Sequence, residues 1–572
     1  MNNLQKLSAK GNKINIDGKE GRLFYFFAYN EVNIKSKVNS MSEKWVWWKH
    51  GVIYQIYPRS FQDSNGDGVG DIQGIISRLD YLEELGIDAI WISPIYKSPM
   101  VDFGYDISDY REIDPVFGTF EDMNELITRA HEKSIRIIMD MVLNHTSNEH
   151  RWFIESRSSK RSPYRDYYIW EDPKGGREPN NWKAAFGGNA WEFDEQTGQY
   201  YMHSFKAQQP DLNWRNPKVV EGLFADVAFW LELGIDGFRL DVINHIIKDR
   251  ELRNNPFTVG ASVRPYDMQR HLYDRNQEDS HDSIRDFRRL IDSYPGKMLV
   301  GEINVEQPGE PDIAASYLGD DQLHLTFDFS FIWTVWDAQE FKKRAMKWYA
   351  SIGDDRWPAW VLSNHDQKRA YSRYGNHEQR AKIAALFLLM QRGTPFIYYG
   401  EEIGMRHKIV DHKHIVDPPG LQYWPFYWGR DPDRLPMQWD DSHNLGFSDN
   451  EQTWLPVDEK WGSDHNVARQ SDEAGSLLSW YREILTIRRK YRTLYGGDIR
   501  FLDVPEKDIL CFFRHEEQRI LCILNFNRFA RKIDPDVVLY GQWDRILLQR
   551  SDMDYDTFEK LAGYEAMIVL LK

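Results

Sequence analysis

The sequence alternates apolar strand-like runs with helical stretches, and this alternation limits the possible folds more than any other feature. The phrase Glu84–Asp88 (ELGID) returns as Glu232–Asp236, each time between a helical stretch and an apolar run. A recurrence of this kind is typical of a repeated helix–strand unit. Eight such runs follow one another along the chain, at 52–57, 86–92, 135–142, 234–242, 298–300, 324–327, 360–362 and 396–399. Helices are predicted at 71–85, 120–133, 217–233 and 379–389.

Eight strands separated mostly by helices favour a closed barrel over an open sheet. The stretch 146–215 is too long for a simple loop and has no helical period, so it is predicted to be a small subdomain. After residue 491, short alternating strands dominate. We therefore predict an α/β fold, a (β/α)8 TIM barrel with an inserted subdomain after strand 3 and a C-terminal antiparallel β-sandwich domain. The predicted segments are a dispensable extension (1–40), the barrel (41–145 and 216–491), the subdomain (146–215) and the C-terminal domain (492–572).

Composition narrows the class of partner and the compartment. The net charge of −16 argues against nucleic acid as a partner. No run of about 18 apolar residues occurs, so no membrane span is expected. The two cysteines, Cys511 and Cys522, are expected to be buried free thiols. With no signal peptide recognised, the chain is predicted to be cytoplasmic, as a monomer or a homodimer.

Charged side chains follow several of the predicted strands. Strand 4 ends at Arg239 and Asp241, strand 5 at Glu302, and strand 7 at Asp366. In a barrel these ends converge on one mouth. Carboxylates that meet there with an arginine and histidines indicate glycoside cleavage, in which one carboxylate attacks or guides water and another protonates the leaving group. A carboxylate cluster that binds a metal is the competing interpretation.

A separate loop has the composition of a metal site. Its oxygen donors occupy alternate positions, at Asp63, Asn65, Asp67, the carbonyl of Val69, and Asp71. Hard oxygen ligands at this spacing are typical of calcium loops. The position equivalent to the last EF-hand ligand is a glycine, so this is not an EF-hand. We predict a structural Ca²⁺ site, with Mg²⁺ as an alternative, against the simpler reading of a turn without metal.

At these residues the sequence resembles glycoside hydrolase family 13, the α-amylase superfamily, and within it the oligo-1,6-glucosidase/α-glucosidase branch. The resemblance extends from residue 45 onward. It rests on the motifs DMVLNH (140–145), GFRLD (237–241), VGEI (300–303), NHD (364–366) and QPDLN (209–213).

The resemblance implies a role for each site residue. Asp241 would be the nucleophile, Glu302 the acid/base, and Asp366 a ligand of the sugar hydroxyls. The remaining substrate-binding residues would be Asp102, Tyr105, His145, Phe186, Arg239, Val242, His365 and Arg434, with Asp102 and Arg434 closing the pocket beyond the terminal glucose. The loop of Asp63, Asn65, Asp67, Val69 and Asp71 matches the family's metal site.

The resemblance also implies the activity. We expect a retaining, exo-acting α-glucosidase that takes short oligosaccharides. A valine after the nucleophile, here Val242, accompanies α-1,6 specificity in this branch, which predicts cleavage of isomaltose. A maltose-type α-1,4-glucosidase, a transglucosylase and a sucrose isomerase remain open. A trehalose-phosphate hydrolase is disfavoured because no basic cluster is apparent, and a non-enzymatic binding relative is disfavoured because the catalytic residues are intact.

Overall fold

The computed structural model of the chain describes residues 45–259, 262–305, 310–327, 329–549 and 560–572. The predicted N-terminal extension, residues 1–40, lies outside the described residues. Every element below belongs to one compact unit, Trp47–Lys572. None of the helices in the described ranges is long and apolar enough to cross a membrane.

The central element is a parallel sheet of eight strands, which we number β1 to β8 in chain order. They are β1 Ile53–Ile56, β2 Ala89–Ile92, β3 Arg136–Val142, β4 Gly237–Asp241, β5 Met298–Gly301, β6 Leu325–Thr326, β7 Ala359–Val361 and β8 Thr394–Tyr398. Neighbours in the sheet run β6-β5-β4-β3-β2-β1-β8-β7. A parallel bridge between Phe327 and Ala359 joins the two ends of this order. The sheet therefore closes into a barrel, and the predicted barrel of eight strands is confirmed.

A helix follows each barrel strand and covers its outer face. The helices are Ile72–Ser77 with Leu79–Leu85, Phe120–Glu132, Pro217–Leu233, Asp279–Asp292, Pro311–Ser316, Ala338–Ile352, Glu378–Met390 and Leu477–Lys490. The helix predicted at 71–85 is interrupted at Arg78. Short helices occupy Trp47–His50, Arg151–Ser158, Ala370–Arg373, Pro418–Tyr423, Glu459–Gly462, Val467–Asp472 and Arg492–Tyr495.

Local capping explains where one of these helices begins. Thr119 accepts a hydrogen bond from the backbone of Asp122 at 3.2 Å, and the Asp122 carboxylate accepts one from the backbone of Thr119 at 2.7 Å. This reciprocal pair satisfies backbone donors that a helix start leaves unpaired. The helix Phe120–Glu132 therefore starts directly after Thr119.

The barrel strands are buried on both faces, as expected for a parallel sheet covered by helices. Alternate residues of every barrel strand except β4 form one apolar cluster on the inner face, including Ile53, Trp91, Ile138 and Val300. The residues between them pack against the helices, as Tyr54 does. The inner cluster fills one part of the barrel, which leaves the carboxyl ends of the strands for polar side chains.

The predicted insertion contains a small antiparallel sheet. Its strands are Trp170–Glu171, Trp191–Asp194 and Gln199–Met202, with the third in the centre. A hairpin of Tyr96–Lys97 and Asp109–Ile113 follows β2.

The C-terminal region is an antiparallel sheet of five strands, β9 to β13. They are β9 Asp498–Phe501, β10 Ile509–His515, β11 Arg519–Asn525, β12 Trp543–Gln549 and β13 Ala566–Leu571. One face contributes to the main core, and the other packs under a two-stranded ladder of Arg531–Lys532 and Lys560–Leu561. The predicted C-terminal antiparallel domain is confirmed, and Cys511 and Cys522 are buried and free.

Candidate active site

The inner face of the barrel changes from apolar to charged along three adjacent strands. On β3 the inward position after Ile138 is Asp140, and on β4 the inward positions end in Arg239 and Asp241. Glu302 follows β5 directly. Successive residues of a strand alternate between faces, so side chains two apart point the same way. Strand periodicity therefore brings these four side chains to the same mouth of the barrel.

Arg239 connects the three carboxylates. It is almost fully buried and lies level with Asp140 in the register of β3 and β4. Its Nη1 donates to Asp140 Oδ1 at 2.7 Å and to Asp241 Oδ1 at 2.8 Å, and its Nη2 donates to Glu302 Oε2. Because both nitrogens belong to one planar guanidinium, Asp241 and Glu302 are held on the same side of the mouth.

Burial makes both carboxyl groups harder to ionise. It raises the pKa of Asp241 and the pKa of Glu302, each to about 7, while Arg239 opposes the rise at both. The negative charge of Asp366 raises both further. Groups that interact this strongly lose their protons in turn. Near neutral pH, one carboxyl can therefore hold a proton while the other is ionised, which is what acid-assisted displacement requires.

The chain turns sharply after Asp241. Val242 has φ 34° and ψ 44°, a left-handed conformation that is unusual for a β-branched residue. Beyond the turn, the Ile243 amide donates to the carbonyl of Glu302 at 3.1 Å. The turn fixes the end of β4 against the end of β5 and points the Val242 side chain into the cavity.

Tyr105 lies on one wall of the site, with His365 packed behind it. Their rings stack with centroids 5.5 Å apart, and Tyr105 Oη lies 2.8 Å from His365 Nε2. The same hydroxyl donates to Asp140 Oδ2 at 2.9 Å. Gln55 contacts His365 Nδ1 at 2.7 Å. Burial lowers the pKa of His365 to about 3, so its ring is neutral at neutral pH.

His145 and Phe186 lie on another wall of the same cavity. His145 Nε2 lies 2.9 Å from the carbonyl of Tyr105 and 3.2 Å from Gln209 Nε2. Gln209, from the QPDLN motif, also donates to Asp102 Oδ2 at 3.1 Å. Phe186 comes from the inserted subdomain and lines the cavity. The subdomain therefore contributes both an apolar wall and a hydrogen bond that orients Asp102.

Asp102 and Arg430 form an ion pair in the wall of the cavity, and the sequence did not indicate Arg430 for this position. Arg430 Nη2 donates to Asp102 Oδ1 at 2.7 Å, and Arg430 lines the cavity. Arg434, to which this role was assigned, is fully buried and does not line the cavity. Its Nη2 instead donates to Asp366 Oδ1 at 2.8 Å. The arginine beside Asp102 is therefore Arg430, and Arg434 supports Asp366 from behind.

The backbone before Arg430 explains its position. Gly429 has φ 72°, and a Cβ there would lie 2.3 Å from Asp417 Oδ2. Asp417 can approach because that Cβ is missing, and it accepts from the Arg430 amide at 2.9 Å and from its Nε at 2.8 Å. The glycine preceding Arg430 was the only local signal that could have distinguished the two arginines.

The pKa of Asp366 is shifted in the opposite direction to the pKa values of Asp241 and Glu302. Burial raises its pKa, but His365, Arg430 and Arg434 together hold the pKa of Asp366 well below its usual range. Because His365 is neutral at neutral pH, the lasting positive charge comes from the two arginines. Asp366 is therefore a permanent anion at the cavity wall, suited to accept hydrogen bonds from sugar hydroxyls.

These side chains line a cavity of about 530 Å³, a size that accommodates a disaccharide-sized ligand. The predicted site residues on its surface are Asp102, Tyr105, His145, Phe186, Asp241, Val242, Glu302 and Asp366. Arg239, His365 and Arg434 lie behind this surface and contact the lining carboxylates or Tyr105.

The predicted metal loop has an oxygen-rich structure. Asp63 accepts from the amides of Asn65, Gly66 and Gly68, and Asp67 accepts from the Val69 amide at 2.8 Å. Asp71 caps the following helix through Gly74 at 2.6 Å. In the described part of the chain, no three Asp, Glu, His or Cys side chains converge as a metal-binding group. A cation here would therefore need the side-chain oxygen of Asn65 and the backbone carbonyl of Val69 in addition to the carboxylates. Such a set of oxygen donors suits Ca²⁺ or Mg²⁺.

A barrel with two buried carboxylates at the C-terminal ends of adjacent strands has the architecture of a glycoside hydrolase. The family model described as the α-amylase catalytic domain matches residues 55–497. The chain belongs to this α-amylase family, glycoside hydrolase family 13, and is a glycoside hydrolase.

Individual relatives cover most of the chain. A probable α-glucosidase of Rhizobium meliloti (strain 1021) is 42% identical over 84% of this chain and 89% of its own length. An oligo-1,6-glucosidase of Parageobacillus thermoglucosidasius is 40% identical over 90% of this chain and 96% of its own length. Among solved structures, the trehalulose synthase MutB from Pseudomonas mesoacidophila MX-45 has a TM-score of 0.85 at 34% identity, covering 93% of this chain and 100% of that chain.

Proposed function

We propose that this enzyme is a retaining, exo-acting α-glucosidase that releases glucose from the nonreducing ends of short α-glucosides, with preference for α-1,6 linkages. The observation that carries the proposal is that Asp241 and Glu302 both accept hydrogen bonds from Arg239, in a cavity whose wall includes the Asp102–Arg430 ion pair. The similarity to an α-glucosidase and an oligo-1,6-glucosidase supports the same activity.

The proposed reaction has two displacements. Asp241, oriented by Arg239, attacks the anomeric carbon while Glu302 gives a proton to the oxygen of the leaving sugar. Glu302 is then a carboxylate and takes a proton from water, which attacks the same carbon and releases Asp241. Two inversions retain the anomeric configuration. The raised pKa of Glu302, about 7, keeps a proton available for the first step near neutral pH.

The exo mode is proposed from the Asp102–Arg430 ion pair, which would close one end of the cavity to a longer chain. Asp102 and Arg430 form an ion pair, and Asp102 is further fixed by Gln209. A sugar that hydrogen-bonds this pair has no room for a further residue on that side, so it must be the terminal one. Asp366 and His145 would bind its other hydroxyls. Only the glucose at the nonreducing end fits this arrangement.

The linkage preference is proposed from Val242, whose side chain lines the cavity next to the nucleophile. A hydrolysis panel of isomaltose, maltose, sucrose, trehalose and trehalose 6-phosphate tests this directly. We expect the highest kcat/KM with isomaltose. Val242→Ala should move the preference towards maltose, because a smaller side chain changes the space for the leaving sugar. Rapid cleavage of maltose with isomaltose left intact would reject the α-1,6 proposal in favour of a maltose-type enzyme.

A transglucosylase or sucrose isomerase is the second candidate. Its support is the structural similarity to a trehalulose synthase. The chemistry would be identical up to the glucosyl-enzyme, and the acceptor would decide the product. Product analysis with sucrose separates the two, because a hydrolase yields glucose and fructose whereas an isomerase yields an isomer of sucrose.

We also propose that the loop of Asp63, Asn65, Asp67, Val69 and Asp71 holds a structural Ca²⁺, or Mg²⁺ in its place. Such an ion would screen the mutual repulsion of the carboxylates and stiffen the loop before the first barrel helix. The location in the cytoplasm and the monomeric or homodimeric state stay predictions from the sequence. Size-exclusion chromatography with light scattering measures the latter.

A further inference from the structure

The cavity extends into a sector of the barrel mouth that the proposed glucose site does not use. The glucose-binding residues follow β2, β3, β7 and β8, whereas Tyr266, His271 and Arg275 come from the loop after β4, Asn304 follows β5, and Trp333 follows β6. All five line the same cavity as Asp241 and Glu302. We call this set of five residues the leaving-group sector; its members follow β4, β5 and β6, the two strands that end in the catalytic pair and the next strand of the sheet.

Arg275 is the notable residue of this sector. It is buried with 3% of its surface exposed, and its Nη1 donates to Tyr266 Oη and to Asn304 Oδ1, each at 3.2 Å. Within the described ranges, no carboxylate pairs with Arg275, its buried Nε has no hydrogen-bond partner, and its Nη2 makes no hydrogen bond. A buried guanidinium is costly unless its donors are used.

Asp274, the carboxylate next to Arg275 in the sequence, does not hydrogen-bond to Arg275. Asp274 pairs with His271, whose Nδ1 lies 2.7 Å from Asp274 Oδ2. His271 Nε2 lies 3.1 Å from the carbonyl of Tyr266, so this ring is fixed at both nitrogens. Asp274 therefore has its hydrogen bond to His271 and none to Arg275, and the guanidinium keeps Nη2 as a donor for a ligand outside the protein.

A chain of amides places Arg275 relative to the catalytic acid. Asn304, which accepts from Arg275, lies two residues after Glu302. Asn244, three residues after Asp241, accepts from the Asn304 amide at 3.0 Å and donates to the Asn304 carbonyl at 2.8 Å. Arg275 is therefore connected through Asn304 and Asn244 to the segments that follow Glu302 and Asp241, and it lines the same cavity as these two carboxylates.

We propose that Arg275 determines specificity by donating a hydrogen bond from Nη2 to a hydroxyl of the leaving sugar. This inference deepens the proposed function and rests on it. The bond would orient the leaving sugar so that its glycosidic oxygen faces Glu302. An aromatic leaving group without hydroxyls would gain nothing from Arg275, whereas a disaccharide would depend on it.

The test compares two substrates in the full-length enzyme. In Arg275→Gln and Arg275→Lys, we expect kcat/KM for the best disaccharide of the panel to fall about 10- to 100-fold, the loss typical of a charge-assisted hydrogen bond. The same variants should cleave p-nitrophenyl α-glucoside within about threefold of the wild type, since that leaving group offers no hydroxyl to the guanidinium. The lysine variant should recover part of the loss, because its ammonium can still donate.

Arg270→Gln is the matched control, because Arg270 is exposed on the same loop and does not line the cavity. It should leave both substrates unchanged. Equal losses on both substrates in the Arg275 variants would show a purely structural role and overturn the inference, as would full activity on the disaccharide. The aryl glucoside also reports that the variants are folded.

The two levels of failure are distinguishable. If the proposed α-glucosidase activity itself is absent, the wild-type enzyme cleaves no α-linked disaccharide of the panel, and the inference falls with it. If only the inference is wrong, the wild-type enzyme cleaves a disaccharide and the ratio between the two substrates is unchanged by Arg275→Gln.

Discussion

Replacing Arg239 by lysine should move the whole pH–activity profile to higher pH while lowering activity. Arg239 bonds Asp140, Asp241 and Glu302 at once, and a lysine ammonium lacks the planar fork that spans them. Losing one charge-assisted hydrogen bond to a reacting carboxylate costs about 1.5–3 kcal/mol, or about 10- to 150-fold in kcat/KM. Arg239 lowers the pKa of both Asp241 and Glu302, so weakening it raises both. On the acid side of the profile, activity requires Asp241 to be ionised. On the alkaline side, activity requires Glu302 to be protonated. Raising both pKa values therefore shifts both sides of the pH–activity profile to higher pH.

The assay is kcat/KM against pH with an aryl α-glucoside, together with the melting temperature of each variant. The matched control is Arg488→Lys, because Arg488 is buried but donates to backbone carbonyls such as those of Leu389 and Gly393. That control should lose stability and keep the wild-type pH profile. An Arg239→Lys profile that stays in place, or moves to lower pH, would refute the electrostatic reasoning about the catalytic pair.

Three further predictions concern the closed end, the acid and the metal loop. Arg430→Gln should reduce kcat/KM for isomaltose by about 10- to 100-fold, since Asp102 loses a charge-assisted partner, and a variant that keeps wild-type kinetics would show that the cavity is closed by something else. Burial raises the pKa of Glu302 from its ordinary value to about 7, so the folded state holds this proton more tightly than the unfolded chain and stability falls as pH rises through that window. Glu302→Gln should therefore raise the melting temperature at pH 8 relative to the wild type more than at pH 5, and an equal shift at both would reject the linkage. Elemental analysis of the purified protein should find about one Ca²⁺ or Mg²⁺ per chain. Chelation should lower the melting temperature by several degrees, and Asp63→Ala should abolish that sensitivity. An enzyme that contains no metal, and whose melting temperature does not change in chelator, would show a turn held by Asp63 alone.

Sequence reasoning was most accurate where the backbone is periodic. The alternation along β4 placed Arg239 and Asp241 on one face, and the parallel sheet placed the end of β4 beside Glu302 at the end of β5. These inferences need only the two-residue period of a strand and the common direction of parallel strands. Even β6, which has only two residues, lies within the strand predicted at 324–327.

In the irregular segments, the sequence could not predict which side chains face the cavity. Arg430 and Arg434 flank a single helical turn, Asp431–Asp433, and nothing periodic shows which of them faces the cavity. Their positions depend on Asp417, which approaches through the space left by Gly429, and that is a tertiary contact. The break at Arg78 is similar. Its guanidinium reaches Gln62 Oε1 at 2.8 Å, a contact that the helical pattern of 71–85 does not show.

The chemistry proposed here depends on the side chain that forms the covalent bond to glucose. The direct measurement is mass spectrometry of peptides from enzyme inactivated with a slowly hydrolysed fluoroglucoside, which traps a glucosyl-enzyme. We expect one labelled peptide, with the sugar ester-linked to Asp241, and no label in Asp241→Asn. A sugar attached to another residue, or turnover with inversion and no trapped enzyme, would contradict it.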